Sequence, residues 1–373
     1  MLSRSTLVLL LLVLFTRSLP ASDPNSDISR GIPNRIEGPE MEHLVGWFAN
    51  IYPWPYLPSL STVYPVRSLW TKPLDYQSAG DITRQNDLLD QYGSSADVLE
   101  YSANPVYADH NQWLRTYFTN GRRPFFVAYE HIYGTRLTPE DGAKDMDLPS
   151  NRVMFKADID TIVRKVIVPY QDRYVSYRGR AVIYLWAAGA MYGDFASLLD
   201  ELRAQYPVAF IGSPGLMSPP PTDPGALRNL RGLDGFMEYA LYSERYNDMI
   251  ARSSDNARRW RATIDQFEAE TGRHYLFVPT FQAAYDDSKY PGRGTPPMYP
   301  RTRAEMLRHV TSIKRDMGTV YDAVGPFVVF SELFEGAAVI QSQCVSDTVD
   351  KRDRYIGCGT GRLDILNTFF GRN

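Results

Sequence analysis

Cysteine and histidine are scarce in this sequence, which has two cysteines and five histidines among 373 residues. The histidines lie far apart in the chain, at His43, His110, His131, His274 and His309, and none is close to a cysteine. A structural zinc site needs four such ligands at short spacings. The composition therefore gives no indication of a bound metal.

Other signals are missing as well. No glycine-rich phosphate turn follows the first apolar run, and nothing in the sequence suggests a nucleotide, flavin or haem cofactor. A net charge of −3 gives no basic footprint for nucleic acid. No Asn-x-Ser/Thr acceptor occurs, so N-glycosylation is not expected. What remains is an ordinary globular composition in which 13% of the residues are aromatic, and flat rings with a polar edge suit sugars.

The N-terminal residues have the features of a secretory signal peptide. Arg4 precedes an apolar run over residues 7–15, and small residues follow near Ala21. This run is too short to span a bilayer as a helix. We expect residues 1–22 to be a signal peptide and residues 23–373 to form one secreted domain. An uncleaved membrane anchor is the alternative.

Secretion bears on the two cysteines. Cys344 and Cys358 enclose a short polar segment, and in an oxidising compartment they would most simply pair. A disulfide closing a loop of that length would contribute about 3 kcal/mol. Two free thiols or a metal site are the alternatives.

Short apolar runs bounded by turn residues predict strands at 44–49, 96–101, 124–129, 181–186, 208–212, 234–237, 275–280 and 327–332. Helical patterns separate them, near 85–92 and at 105–119, 157–168, 195–205, 244–271 and 303–317. This alternation predicts an α/β protein with a single (β/α)8 TIM barrel, whose extended loops follow the strands at the C-terminal face. An open doubly wound sheet is the alternative.

Carboxylates follow several of these runs, at the edge where barrel enzymes hold their catalytic groups. The most pronounced case is the run 327–330, which ends in Ser331, Glu332 and, three residues later, Glu335. Other strand-end acids are Glu100, Glu130, Glu238 and Asp286. Paired acids in an aromatic cleft are typical of glycoside hydrolysis, in which one carboxylic acid protonates the leaving oxygen.

Five segments at these strand ends carry motifs in a fixed order. They are Tyr-Pro-Trp at 52–54, Tyr-Glu-His-Ile-Tyr at 129–133, Asp-Gly-Phe-Met-Glu-Tyr at 234–239, a stretch from Val-Pro-Thr at 278–280 to Tyr-Asp at 285–286, and Ser-Glu-Leu-Phe-Glu-Gly at 331–336. Together they resemble glycoside hydrolase family 99, the endo-acting α-mannosidases and α-mannanases. The resemblance runs from about residue 44 to residue 341.

The resemblance implies a mechanism that retains configuration without a protein nucleophile. Glu332 would be the general base acting on the sugar's own 2-hydroxyl, and Glu335 the general acid. It also implies a secreted glycosidase acting on an α-linked, α-mannoside-like oligosaccharide or polysaccharide. The substrate-binding residues expected on this basis are Tyr52, Trp54, Glu100, Glu130, Tyr239, Tyr285 and Asp286.

The match leaves alternatives open. Ser331 and Leu333 stand beside Glu332 where the family has Asn and Trp, so other α-linked sugars are possible substrates. A noncatalytic carbohydrate-binding barrel is a second reading. A different barrel hydrolase, such as a metal-dependent deacetylase, is a third, and it would need a His/Asp cluster at the strand ends.

Overall fold

Short runs rich in β-branched and aromatic residues form a parallel sheet, and helices lie between successive strands. The computed structural model describes residues 31–44, 47–51, 78–102, 108–131, 136–139, 142–215, 218–238, 241, 245–282, 303–319, 327–330 and 361–370. Within these ranges, none of the helices is long and apolar enough to cross a membrane.

The strands in chain order are β1 (Trp47–Ile51), β2 (Ser94–Tyr101), β3 (Phe125–Tyr129), β4 (Lys144–Asp145), β5 (Ser176–Tyr177), β6 (Arg180–Leu185), β7 (Met191–Tyr192), β8 (Val208–Gly212), β9 (Gly235–Met237), β10 (Leu276–Val278), β11 (Thr280–Gln282) and β12 (Phe327–Phe330). In the main sheet they follow the order β10-β9-β8-β6-β3-β2-β1-β12-β11, and every one of these pairings is parallel. The short strand β5 is antiparallel to β6, and β4 pairs with β7 in a separate small sheet. The sheet curls, as expected for a barrel-type fold.

The two ends of this strand order are neighbours in sequence. Only Pro279 separates β10, which pairs with β9, from β11, which pairs with β12. Proline has no N–H to donate to a ladder, so a strand is readily interrupted there and can change its partner. The segment 276–282 therefore provides both ends of the strand order, since its first half pairs with β9 and its second half with β12.

The α-helices are α1 (Ala79–Gln91), α2 (Ala108–Asn120), α3 (Pro149–Ile162), α4 (Phe195–Gln205), α5 (Pro224–Arg231), α6 (Tyr246–Thr271), α7 (Arg303–Thr319) and α8 (Gly361–Phe370). Two of them begin at side-chain caps, where Ser78 accepts a hydrogen bond from the Asp81 amide (3.3 Å) and Asp223 accepts one from the Ala226 amide (2.8 Å). Each such cap contributes about 1 kcal/mol.

One face of the sheet points to its interior. Phe48 of β1 and Phe126 of β3 are fully buried, and their rings meet edge to face with centroids 5.3 Å apart. Ala96 and Val98 of β2 share this face and are also fully buried. Burial of such a side chain contributes roughly 1.5–3 kcal/mol, so these layers fix the positions of the strand ends above them.

The other face packs against the helices and holds a buried ion pair. Asp97 of β2 is fully buried and accepts hydrogen bonds from Arg123 Nε (2.9 Å) and from the hydroxyl of Tyr117 on α2 (2.5 Å). Arg123 also donates to Ser94 Oγ (2.7 Å). This network joins α2 to the strand that carries Glu100.

The helix-flanked parallel sheet predicted from sequence is confirmed, and each predicted apolar run contains a strand. Several boundaries were wrong, among them the start of the helix predicted near 85–92, which begins at Ala79. The first strand begins at Trp47 rather than residue 44, because Met41–His43 form a 3-10 turn. The helix predicted at 157–168 begins at Pro149, whose fixed φ suits a first helical turn, and it continues beyond Ile162 as a π turn over Val163–Ile167.

Candidate active site

Two of the residues predicted for the site, Glu100 and Glu130, are described by the structure, and both are partly buried. Glu100 lies in β2 and Glu130 directly follows β3. The other predicted positions lie outside the described residues: Glu332, Glu335, Tyr52, Trp54, Tyr239, Tyr285 and Asp286, together with Cys344 and Cys358.

The hydrogen-bond ladder continues one residue past the ends of β3, β6 and β8. The continuing bonds run from Glu130 N to Tyr101 O (3.0 Å), from Trp186 N to Tyr129 O (3.4 Å) and from Ser213 N to Leu185 O (3.0 Å). Glu130, Trp186 and Ser213 are therefore neighbours in one row, at the strand spacing of about 4.8 Å.

Side-chain alternation sets the direction in which this row points. Tyr129 faces the helices, since its hydroxyl donates to Asp158 on α3. Phe210 of β8 also faces them, because the Arg203 guanidinium of α4 lies 5.6 Å from its ring centroid. Successive residues of a strand point to opposite faces, so Glu130 and Ser213 lie on the interior side.

Glu238 joins the row from the next strand along. It follows β9 directly and is 5% exposed, and its carboxylate accepts a hydrogen bond from the Ser213 hydroxyl. Its backbone carbonyl accepts another from Thr280 Oγ1 (2.6 Å). The residues Glu130, Trp186, Ser213 and Glu238 are called the carboxyl rim below.

The polar edge extends to β11. The side-chain oxygen of Gln282, which is fully buried, accepts a hydrogen bond from the Leu241 amide (2.5 Å). Tyr246 donates to the Gln282 carbonyl (3.3 Å), and its hydroxyl also lies 3.2 Å from His309 Nδ1. These contacts hold the chain that leaves β9 against the end of β11.

His131 lies behind the rim, on the helix side of β3. It is fully buried against Phe155, and its Nδ1 lies 3.1 Å from the carbonyl oxygen of Tyr129. Burial lowers the pKa of His131 to about 4, and the Lys144 ammonium acts in the same direction. The ring is therefore neutral at pH 7, and its hydrogen bond fixes the backbone on both sides of Glu130.

Metal ligands do not cluster in the described part of the chain. No group of three or more His, Cys, Asp or Glu residues there has the arrangement needed to hold a metal ion. Of the histidines, His131 stands at a strand end but is enclosed by Phe155 and Tyr129 rather than by other ligands.

Sequence reasoning gave no site role to Ser213 or Thr280, and it noted Trp186 only as an aromatic residue at a strand end and Glu238 only as a strand-end acid. The available signal was position, since each immediately follows a buried strand run or its proline. Their relation to one another depends on strand register and on the contact between Ser213 and Glu238, and a single sequence carries neither.

The strand order and the acid-bearing edge define a parallel α/β fold of the barrel type. Two solved structures of a glycoside hydrolase family 99 endo-α-mannosidase from Bacteroides thetaiotaomicron are similar to it. For the complex with bis-tris propane the TM-score is 0.61 at 12% identity, over 87% of this chain and 95% of that one. For the other the TM-score is 0.59 at 12% identity, over 86% and 95%.

A structure described as a glycoside hydrolase-like protein gives a TM-score of 0.61 at 12% identity, covering 94% of this chain and 99% of that one. No family model matches the sequence. A search of curated proteins also finds no match.

The similarity to these solved structures confirms, at the level of the fold, the resemblance to family 99 that the motifs indicated.

Proposed function

We propose that this protein is a glycoside hydrolase that cleaves an α-linked, α-mannoside-like glycan with retention of configuration. Its fold is similar to that of the family 99 endo-α-mannosidase over most of both chains. The motifs that the sequence shares with that family stand at strand ends, where barrel enzymes carry their chemistry.

The strand order is the observation that carries the proposal. Strands β11, β12, β1, β2 and β3 are consecutive in the sheet, and β9 pairs with β10, which only Pro279 separates from β11. Along the chain, each of β9, β11, β12, β1, β2 and β3 contains or leads into a residue predicted for the site; in that order these are Tyr239, Tyr285, Glu332, Tyr52, Glu100 and Glu130. Residues far apart in sequence are thus attached to adjacent strands at one edge, which a common substrate site requires.

We further infer that the sheet closes into an eight-stranded barrel. The support is the segment Leu276–Gln282, which pairs with β9 through its first half and with β12 through its second. If the two halves are counted as one strand broken at Pro279, the parallel strands form a continuous ring. The edge then surrounds a central cleft.

The proposed reaction has two steps. In the first, the Glu332 carboxylate takes the proton of the sugar 2-hydroxyl, and that oxygen attacks the anomeric carbon as the glycosidic bond breaks. Glu335, protonated, gives its proton to the leaving oxygen. In the second, Glu335 takes a proton from water, which opens the anhydro ring, and Glu332 returns its proton to the 2-oxygen. Two inversions at one carbon give net retention.

Replacement of Glu335 by Gln tests the assignment of the acid. The amide keeps the shape and cannot donate a proton to the leaving group, so cleavage of an unactivated glycoside should fall by about 10²-fold or more. The matched control is Glu270→Gln, which changes an exposed glutamate of α6 that pairs with Arg231. Full activity in the Glu335 variant would refute the assignment.

We also propose that the protein is secreted and that its signal peptide is cleaved after residue 22. Because a secreted protein enters an oxidising compartment, we infer a disulfide between Cys344 and Cys358. Intact mass measured with and without reductant on protein exported from cells tests both. A mass that includes residues 1–22 would contradict the cleavage. A mass that is the same with and without reductant would contradict the disulfide, because reduction of the bond adds two hydrogens.

A further inference from the structure

A cleft lined by arginines lies at the opposite end of the sheet from the carboxyl rim. It has a volume of about 370 Å³ and is formed by residues 32–35, the turn between β5 and β6, and the chain that leads from α4 into β8. The described residues that line it include no aspartate or glutamate but four arginines: Arg35, Arg178, Arg180 and Arg203. Arg180 begins β6 and Trp186 follows its end, so the six residues of that strand, about 20 Å, separate this arginine cleft from the rim.

The turn between β5 and β6 holds an arginine in a conformation that favours glycine. Arg178 (φ 53°) and Gly179 (φ 74°) are both left-handed, as in the two-residue hairpin turns that usually carry Asn-Gly. A residue with a Cβ is strained there, and such strain persists only where surrounding contacts hold it. The Glu40 carboxylate provides them, because it accepts hydrogen bonds from Arg178 N (2.8 Å) and Gly179 N (2.7 Å). The direction in which the Arg178 side chain leaves the turn is therefore fixed.

The charges of Arg178 and Arg180 are available to a ligand. Both residues are exposed, and neither forms an ion pair with another residue in the part of the chain that the structure describes. The Arg178 guanidinium lies 5.2 Å from the ring centroid of Tyr177. Stacking on a ring holds a guanidinium in place and leaves its N–H edges free to donate.

Arg35 reaches the same place from another segment. Its side chain crosses Gly179 so closely that a Cβ there would lie 2.6 Å from Arg35 Nε. The Ile36 amide donates to the Gly179 carbonyl (2.9 Å), which ties this segment to the turn. Arg35 is only loosely paired, since its Nη2 lies 3.8 Å from Glu40 Oε1, an oxygen that already accepts a turn amide. Three guanidinium groups thus meet around one turn.

The cleft keeps a net positive charge when its neighbours are counted. Arg203 is compensated by two aspartates outside the lining, each 2.8 Å from its guanidinium, and Glu40 offsets Arg35. The C-terminal end of α4 adds about half a negative charge. Arg178 and Arg180 together outweigh it, so the cleft attracts an anion.

The geometry of the donors indicates which anion. Guanidinium groups bind phosphate oxygens through two parallel N–H···O bonds. The volume of the cleft is at the lower end of the range for ligand pockets, about 300–1,000 Å³, which leaves room for a phosphate ion or a phosphorylated monosaccharide. We propose that the arginine cleft binds a phosphate group, with Arg178 and Arg180 as its main contacts and Arg35 beside them. The inference does not rest on the proposed function, because no residue of the carboxyl rim takes part.

Calorimetric titration of the purified protein tests the proposal. The probes are inorganic phosphate, mannose 6-phosphate and, as the uncharged control, mannose, at an ionic strength of about 50 mM held constant with NaCl. The cleft variants are Arg178→Asn and Arg180→Gln. Arg259→Gln is the matched control, because it removes an exposed guanidinium from α6, far along the chain from the cleft.

Wild type should bind inorganic phosphate at one site with a Kd of about 1 mM or lower, and mannose should not bind there. Each cleft variant should raise that Kd about tenfold, because charge-assisted hydrogen bonds are lost. The control should stay within about twofold of wild type. Asparagine is well tolerated in the left-handed conformation, so the Tm of Arg178→Asn should not fall, and its loss of binding cannot be attributed to unfolding.

Two results would overturn the inference: no saturable binding of either phosphate probe by wild type up to about 20 mM, or the same Kd in wild type and both cleft variants. The two probes also distinguish the source of the phosphate. Mannose 6-phosphate that binds at least as tightly as phosphate supports a phosphorylated sugar, and weaker binding supports the free ion. Glycan cleavage is measured separately, so its absence would refute the proposed function without affecting this site. If Arg180→Gln does not fold by circular dichroism, Arg178→Asn decides the outcome.

Discussion

His131→Asn should make the stability of the protein less sensitive to acid. The imidazole is fully buried behind the strand end that carries Glu130. Burial lowers the pKa of His131 from 6.5 to about 4, partly opposed by the hydrogen bond to the Tyr129 carbonyl and assisted by Lys144. An asparagine amide can still donate to that carbonyl and has no proton to gain in this pH range.

The sign follows from the number of bound protons. The pKa of His131 is lower in the folded state, so below pH 6.5 the unfolded chain binds more protons and folding is opposed. Protonation of this residue in the unfolded chain should lower the free energy of unfolding by about 2 kcal/mol between pH 7.5 and pH 5, and by about 3 kcal/mol between pH 7.5 and pH 4. The loss ends once the pH falls below about 4, where both states are protonated.

Urea unfolding at pH 7.5, 6.5, 5.5 and 5.0, followed by circular dichroism, measures the effect. For each protein, the free energy of unfolding at pH 5 is subtracted from that at pH 7.5. The difference between the wild-type value and the variant value isolates His131, because the contributions of the other titrating groups cancel. It should be about 2 kcal/mol. A cavity left by the smaller side chain lowers the stability of the variant at every pH and does not alter this difference.

His309 provides an independent comparison. It is fully buried between Phe281 and Tyr246, and burial lowers its pKa to about 3. His309→Asn should therefore also remove about 2 kcal/mol of acid sensitivity, and the double variant about 4 kcal/mol, since the two sites share no contact. Identical pH slopes in wild type and the His131 variant would refute the reasoning that this imidazole is buried and neutral.

Other predictions concern the interior of the fold. Asp97→Asn should lower the free energy of unfolding by about 1–3 kcal/mol in urea titrations, because the buried Arg123 guanidinium then keeps only its ion pair with the partly exposed Asp90. An effect no larger than that of the surface variant Glu270→Gln would contradict the buried ion pair. Gly235→Ala should cost about 1–3 kcal/mol, because a Cβ there would lie 2.5 Å from the Leu276 carbonyl oxygen on the paired strand. Thermal stability equal to wild type would show that β9 and β10 are not in this register.

Short apolar runs were sufficient to locate the strands of the parallel sheet, whereas the two-residue strands β4, β5 and β7 were not predicted. Runs such as 208–212 are buried on both faces, so their composition alone separates them from the amphipathic helices between them. Two helix starts were predictable from signals that were not used. Ser78 followed by Asp81 marks the start of α1, and Asp223 with Pro224 marks the start of α5.

The grouping of residues at the carboxyl rim could not be predicted from one sequence. Glu130 was predicted from its place at a strand end and from the resemblance to family 99, whereas Trp186 was only one of several aromatic residues at predicted strand ends. Its place beside Glu130 depends on the register of β3 with β6, set by contacts such as Val127 with Ile183. The pairing of Pro279's two flanking strands with different partners is likewise a long-range property.

The configuration of the first product tests the central claim most directly. Purified protein is incubated with α-linked mannotetraose in D₂O, and the anomeric protons are followed by NMR from the earliest time points. Retention by way of an anhydro sugar predicts that the α-anomer of the new reducing end appears first and then mutarotates. Initial release of the β-anomer, or no cleavage of any α-linked glycan, would contradict the account.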